Sequence, residues 1–302
     1  MSEFANKRLV HRSAGWCSSE MALIDLSAAL EMAVCSDVGR VRSLNEDSVL
    51  ANSSVGLAVL ADGMGGYNAG EIASSMATSV LGSELEHLFG LRPPSQIAAS
   101  GQIWARDALT DMIARTNAAI YQAAQSQSQY TGMGTTLVAV QFYDDRLVVA
   151  HIGDSRLYCL RGEELTQLTR DHSLLQEQID KGMITSEQAR FSHNKNLVTR
   201  ALGVEPTVET ELNEYDVLPG DVYLLCSDGL NDMMEDDEIA LTLSALSANL
   251  PLCATQLVQM ANDNGGRDNV SVILVKIKQA FPAAHGPHDA NGWWRRVQSW
   301  FG

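Results

Sequence analysis

The chain has 302 residues, 45% of them hydrophobic, enough to bury one large core or two small ones; its 21 Lys and Arg face 37 Asp and Glu, a formal charge of -16. That balance disfavours nucleic acid as a ligand and suits cations. Five scattered cysteines, Cys17, Cys35, Cys159, Cys226 and Cys253, form no C-x-x-C pair, so neither a disulfide framework nor a zinc site is indicated and a reducing compartment is implied.

In chain order, residues 1–31 read as an N-terminal extension. It carries a few basic residues but no continuous apolar stretch of the kind that opens a secretory signal, and Met21 is an alternative start. No segment reaches about 18 consecutive apolar residues, the length needed to span a bilayer. The expectation is a soluble, cytoplasmic protein with no transmembrane segment.

Strand patterns of period two, or continuously apolar, follow at "LEMAVCSD", "VGLAVLAD", "GTTLVAVQFY", "RLVVAHIGD", "RLYCLRG", "DVYLLCSD" and "NVSVILVKIK". Helical patterns lie between them at "AGEIASSMATSVLGSELEHLF", from Trp104 to about residue 129, at 236–247 and at 252–263. The strands from 134 to 162 are joined by "YDDR" and "GDSR", which suits an antiparallel meander. With helices arriving in pairs, the class is α+β rather than a doubly wound parallel sheet. Residues 173–204 are polar and interrupt the strand pattern, as a functional flap does.

The carboxylates carry the chemistry. Asp62, Asp154 and Asp228 each end an apolar strand pattern and are followed by Gly or Ser, while Asp268 immediately precedes the last strand. Turn chemistry accounts for any one of them alone, but four together argue for a site. If their strands share an edge, the acids converge and repel unless hard cations neutralise them. Oxygen-only ligands then favour Mg2+ or Mn2+ over Zn2+. The loop "RSLNED" adds Arg42, a planar cation suited to phosphate, beside Glu46 and Asp47, acids suited to the water shell of a metal. At "ADGMGG", glycines after Asp62 let the backbone come close to whatever balances that acid.

The ordered motifs "RSLNED", "ADGMGG", "GMGTTL", "HIGDSR", "TRDHS", "LLCSDGL" and "GGRDNVSVILV" resemble those of the metal-dependent PPM (PP2C-type) serine/threonine phosphatases, especially the compact bacterial ones. The resemblance covers residues 32–278, with the flap at about 173–204 and a linker and tail at 279–302. It implies a four-layer α-β-β-α sandwich, two antiparallel sheets flanked by helix pairs, with a two-metal centre at one end. By resemblance Asp62 bridges two Mn2+ or Mg2+ ions and the Gly63 carbonyl binds one of them. Asp228 and Asp268 are further direct ligands, Asp47 and Glu46 hold metal-bound waters, Arg42 grips the substrate phosphate, and Asp154 shares a weaker third metal with Asp228. The implied reaction is hydrolysis of phosphoserine or phosphothreonine in proteins by a metal-bridging hydroxide, without a phosphoenzyme.

Some relatives have a histidine where this chain has Met64, so the acid that protonates the leaving alcohol is unassigned. His172 is a substitute in reach of the motif, though a structural hydrogen-bonding role suits it better. The implied partners are phosphoproteins made by a serine/threonine kinase. The competing class is a non-catalytic, cation-binding module that docks phosphoproteins. In the tail, Trp293, Trp294, Val297, Trp300 and Phe301 share one helical face, fit to dock on the domain itself, on a partner or on a membrane surface.

Overall fold

A computed structural model describes residues 25–66, 69–185, 188 and 197–282. The start-site alternative at Met21, the Trp-rich face of the tail and part of the expected flap lie outside the described residues. Among those described, no helix is long and apolar enough to cross a membrane.

Two antiparallel sheets stack face to face. The first joins β1 (Leu30–Asp37), β11 (Val270–Ile277), β10 (Val222–Cys226), β7 (Arg156–Arg161) and β8 (Glu164–Gln167), in that order. The second joins β2 (Asp47–Asn52), β3 (Leu57–Met64), β5 (Leu137–Tyr143), β6 (Arg146–Ile152) and β9 (Glu211–Asp216), with the short β4 (Gly134–Thr135) on the end of β3. Alternation along each strand sends one set of side chains between the sheets and the other outward. Leu60, Val138, Val149, Tyr223, Leu225 and Ile273 fill the space between, all no more than 1% exposed. Both outward faces are also apolar, so each needs a cover.

Helix α1 (Ala69–Leu91) and helix α2 (Trp104–Ser126) cover the second sheet, where Ala69, Ala73, Ala77, Leu81 and Leu85 recur at helical spacing toward Leu57, Val59 and Ala139. Helices α5 (Asp236–Leu246) and α6 (Leu250–Asp263) cover the first sheet through Ile239, Leu243, Leu257 and Ala261. This is the expected α-β-β-α sandwich. Two shorter helices, α3 (Leu174–Asp180) and α4 (Asp228–Asn231), sit at the flap root and beside the strand-end acids.

Two expectations change, and three strands appear that the sequence pattern did not mark. The run 134–162 is not one meander: β5 and β6 form a hairpin whose turn residues Asp144 and Asp145 both have positive φ, as the favoured two-residue turn requires, but β7 belongs to the other sheet. "GDSR" is therefore a crossover between layers, and its Gly153 (φ +103°) has the turn composition that made it look like a hairpin. The domain also begins and ends further out than its motifs. Leu26, Ala29 and Leu30 from the expected extension and Phe281 from the expected linker are buried between the sheets. Strands β2, β8 and β9 carry half-exposed polar sequences such as "ELNEYD", too weakly patterned to read without their neighbours.

Candidate metal and phosphate site

The acids singled out in the sequence converge at one end of the sandwich. Asp47 and Asp62 are direct cross-strand partners at the adjoining ends of β2 and β3. Asp228 follows β10, Asp268 precedes β11, and Asp154 sits in the crossover after β6. Each acid lies at or near the end of its strand, and the carboxylates come near enough to bear on one another's charge.

Burial and one another's charge both bear on these carboxyls. Burial, then the charges of Asp47, Asp228, Asp154 and Asp268, pushes the Asp62 carboxyl well above the usual range. Asp228 is raised in the same way by burial and by Asp154, Asp232, Asp268 and Asp47. Burial is also the leading cause for Asp47 and Asp154, each pushed up to about 6, and for Glu46, which Arg42 partly offsets. Asp47 Oδ1 is buried without a hydrogen-bond partner. A half-buried, all-oxygen cluster of this charge fits hard divalent cations, which would reverse every one of these shifts.

Arg42 stands at the rim, half-exposed, with its Nη2 donating to Asp268 Oδ2 at 2.7 Å. It pairs with neither Glu46 nor Asp47, its sequence neighbours. An exposed pair of this kind contributes little to stability, so the guanidinium is available to a phosphoryl oxygen at small cost.

Polar residues that the motif reading passed over hold the acids in place. Asn269 is 4% exposed; its Oδ1 accepts from Glu46 N at 2.8 Å, and its Nδ2 donates to Val38 O at 2.9 Å and Leu44 O at 2.8 Å. One side chain thus straps the whole Arg42 loop to the start of β11. Ser227 Oγ donates to Asp47 Oδ2 at 2.8 Å. Thr136 Oγ1 accepts from Asp62 N at 3.0 Å and bonds Ser155 Oγ at 2.7 Å, joining the end of β3 to the Asp154 crossover. All four lie within the quoted motifs, but only the tertiary contacts show what each of them holds.

Gly63 answers to packing. A Cβ there would collide with the Gly70 carbonyl in the first turn of α1 and come within 2.6 Å of Glu46 O. The Gly63 amide itself donates to Glu46 O at 3.1 Å. Met64 ends β3 opposite Gly134 and offers no proton. His172 is built in as a hydrogen-bonder: its Nδ1 accepts from Gly153 N at 3.1 Å and its Nε2 faces Glu211 Oε2 at 3.4 Å.

With this geometry in view, residues 39–270 match the family model described as Protein phosphatase 2C. The chain belongs to the protein phosphatase 2C family. It is 40% identical over 256 residues to the serine/threonine protein phosphatase PstP of Mycobacterium tuberculosis, covering 83% of this chain but only 46% of that protein. The chain thus spans about half the length of PstP. Against the protein phosphatase PhpP of Streptococcus pneumoniae it is 35% identical over 255 residues, covering 83% of this chain and 98% of that one. A crystal structure of PstP superposes with a TM-score of 0.74 at 37% identity, over 83% of this chain and all of that one. The PstP catalytic domain in complex with two manganese ions superposes with a TM-score of 0.71 at 39% identity, covering 82% of this chain and 98% of that one.

Proposed function

We propose that this chain is a manganese- or magnesium-dependent phosphatase of phosphoserine and phosphothreonine in proteins. The observation that carries the reading is the convergence of Asp47, Asp62, Asp154, Asp228 and Asp268, with Arg42 at the rim, in a chain of this family. In this reading Asp62, the Gly63 carbonyl, Asp228 and Asp268 hold two divalent ions directly. Asp47 and Glu46 hold them through water, and Asp154 shares a weaker third ion with Asp228. When bound, such ions supply a water acidic enough to act as nucleophile near neutral pH and neutralise charge on the phosphoryl oxygens.

The chain's own groups do the remaining work. Arg42 takes the phosphoryl oxygens and sets the phosphorus in line, and on substrate binding its bond to Asp268 is exchanged for one to phosphate. The Asn269 strap keeps the Arg42 loop fixed while this happens, so little ordering is left for the reaction itself. His172 Nδ1 is occupied by the Gly153 amide and Met64 cannot donate, so protonation of the leaving alcohol falls to solvent within the acid cluster. The four cysteines of the described residues are free thiols, in keeping with work in the cytoplasm on proteins phosphorylated by a serine/threonine kinase.

The experiment is hydrolysis of p-nitrophenyl phosphate and of a phosphothreonine peptide with Mn2+, with EDTA, and with Asp228→Asn. We expect turnover that needs Mn2+ and falls by about 100-fold or more in the variant. Wild type that binds Mn2+ yet turns over neither compound would instead favour the non-catalytic docking module.

A further inference from the structure

Away from the acid cluster's oxygen donors, the described residues hold a second group with ligand chemistry. His151 near the end of β6 is the cross-strand partner of Glu211 at the start of β9. His172, in the segment leading into α3, brings its ring within 4.5 Å of the His151 ring, centroid to centroid, at an interplanar angle of 31°. One ligand atom from each of His151, His172 and Glu211 lies within 4.8 Å of the others. We propose that these three residues form an additional metal site, a nitrogen-rich one, for a single transition-metal ion of the zinc class.

Three features carry this. First, His151 is 2% exposed and neither of its ring nitrogens makes a well-formed hydrogen bond, the Gly153 backbone being close to the ring without meeting good geometry. A buried polar group left unpaired costs about 1–3 kcal/mol, so such a ring calls for an explanation that packing does not supply. Second, two imidazoles with one carboxylate are the donors zinc prefers and magnesium avoids, so the site selects against the ions that suit the oxygen-only cluster. Third, the carboxylate is already aimed: Glu211 Oε2 faces His172 Nε2 at 3.4 Å, a gap an ion fills better than a hydrogen bond of that length does.

The charges around the site limit its affinity. Asp171 bears on both rings but is engaged by Arg156, whose Nη2 donates to Asp171 Oδ2 at 2.7 Å, while Arg200 stands close enough to His172 to disfavour its protonated form. Burial holds both rings neutral, the state in which imidazole binds metal. Proton placement adds a coupling. His172 Nδ1 accepts from Gly153 N, so the ring proton sits on Nε2; binding through Nε2 moves that proton to Nδ1 and gives up the Gly153 bond. Loading the site therefore bears on the turn that carries Asp154. Through Thr199 N, which donates to His172 O at 2.8 Å, it also bears on the segment that follows the flap's undescribed part.

The test titrates Co2+ and then Zn2+ into the full chain in excess Mg2+, following visible absorption and counting bound zinc by calorimetry. Wild type should show the intense visible bands of four-coordinate cobalt, displaced by one equivalent of zinc. His151→Gln, His172→Gln and Glu211→Gln should each bind one zinc fewer or weaken that site by about 10–100-fold. Weak, six-coordinate cobalt bands alone in wild type would overturn the proposal, and this arm needs no variant to fold. Equal zinc stoichiometry and affinity in wild type and in Glu211→Gln, a half-exposed edge position, would overturn it as well. Neither readout depends on turnover, so failure here is distinct from failure of the phosphatase reading.

Discussion

At the scale of single residues, Arg42 and Asn269 separate two kinds of contribution. Arg42 is half-exposed and its pair with Asp268 is open to solvent, so Arg42→Ala should shift unfolding free energy by less than about 1 kcal/mol. If Arg42 takes the phosphoryl oxygens as proposed, the variant should nonetheless lower kcat/KM by about 10–100-fold. Asn269→Ala should behave the other way round at first. It orphans Glu46 N, Val38 O and Leu44 O around a buried position, and denaturant melts should show a loss of about 1–3 kcal/mol along with reduced turnover. An Asn269→Ala protein as stable as wild type would remove the strap from the account.

His151 supplies a pH prediction at the same scale. Burial first, then the neighbouring His172 ring, lowers its pKa to about 4 from an ordinary value of 6.5. The folded state therefore resists protonating this ring while the unfolded chain accepts the proton readily. Stability linked to His151 is full above the unfolded pKa and drains as pH falls from about 6.5 toward 4, by roughly 3 kcal/mol in the limit. Metal-free wild type should thus lose stability relative to His151→Gln as pH falls from 7 to 4.5, measured by urea melts. A difference that stays constant over that window would show that His151 is readily protonated in the fold.

At the scale of elements, the critical pieces are the places where a strand stops. The end of β3 lies against the first turn of α1 so closely that Gly63→Ala has no room between the Gly70 and Glu46 carbonyls. That variant should move Asp62 and the Glu46 loop together, and its Mn2+ affinity, read by calorimetry, should fall along with its stability. The crossover after β6 is equally constrained. Gly153 has φ +103° and a Cβ there would press on Thr136, the residue that receives the Asp62 amide, so Gly153→Ala should disturb Asp62 and Asp154 at once.

For the whole molecule, the fold brings together acids that repel one another, and Mn2+ should relieve that. With Asp62 and Asp228 held well above the carboxylate range and Asp47 at about 6, their ionisation at pH 7 destabilises the metal-free fold relative to the unfolded chain. The sign is the reverse of the usual salt-bridged carboxylate: this penalty grows as pH rises through the unfolded value of 3.8 toward the raised folded values. Saturating Mn2+ should therefore raise the melting temperature by several degrees at pH 7, with the gain reduced in Asp62→Asn. An unchanged melting temperature would mean that the acids do not form a cation site.

Much of this was legible in the sequence because it depends on local pattern. Continuous apolar runs ending in Asp-Gly or Asp-Ser mark strands and where they stop, and helical spacing of alanines and leucines marks the covering helices. The ordered motifs then carried the family, and with it the sandwich. What tertiary structure decided is pairing between segments far apart in sequence, which no local pattern encodes. The change of sheet at Gly153, the Arg42 bond to Asp268 across 226 residues, and the Asn269 strap are all of this kind. So is the meeting of His151, His172 and Glu211: each reads alone as an ordinary strand or loop residue, and only the β6–β9 register and the packing of the His172 ring on the His151 ring bring their ligand atoms together.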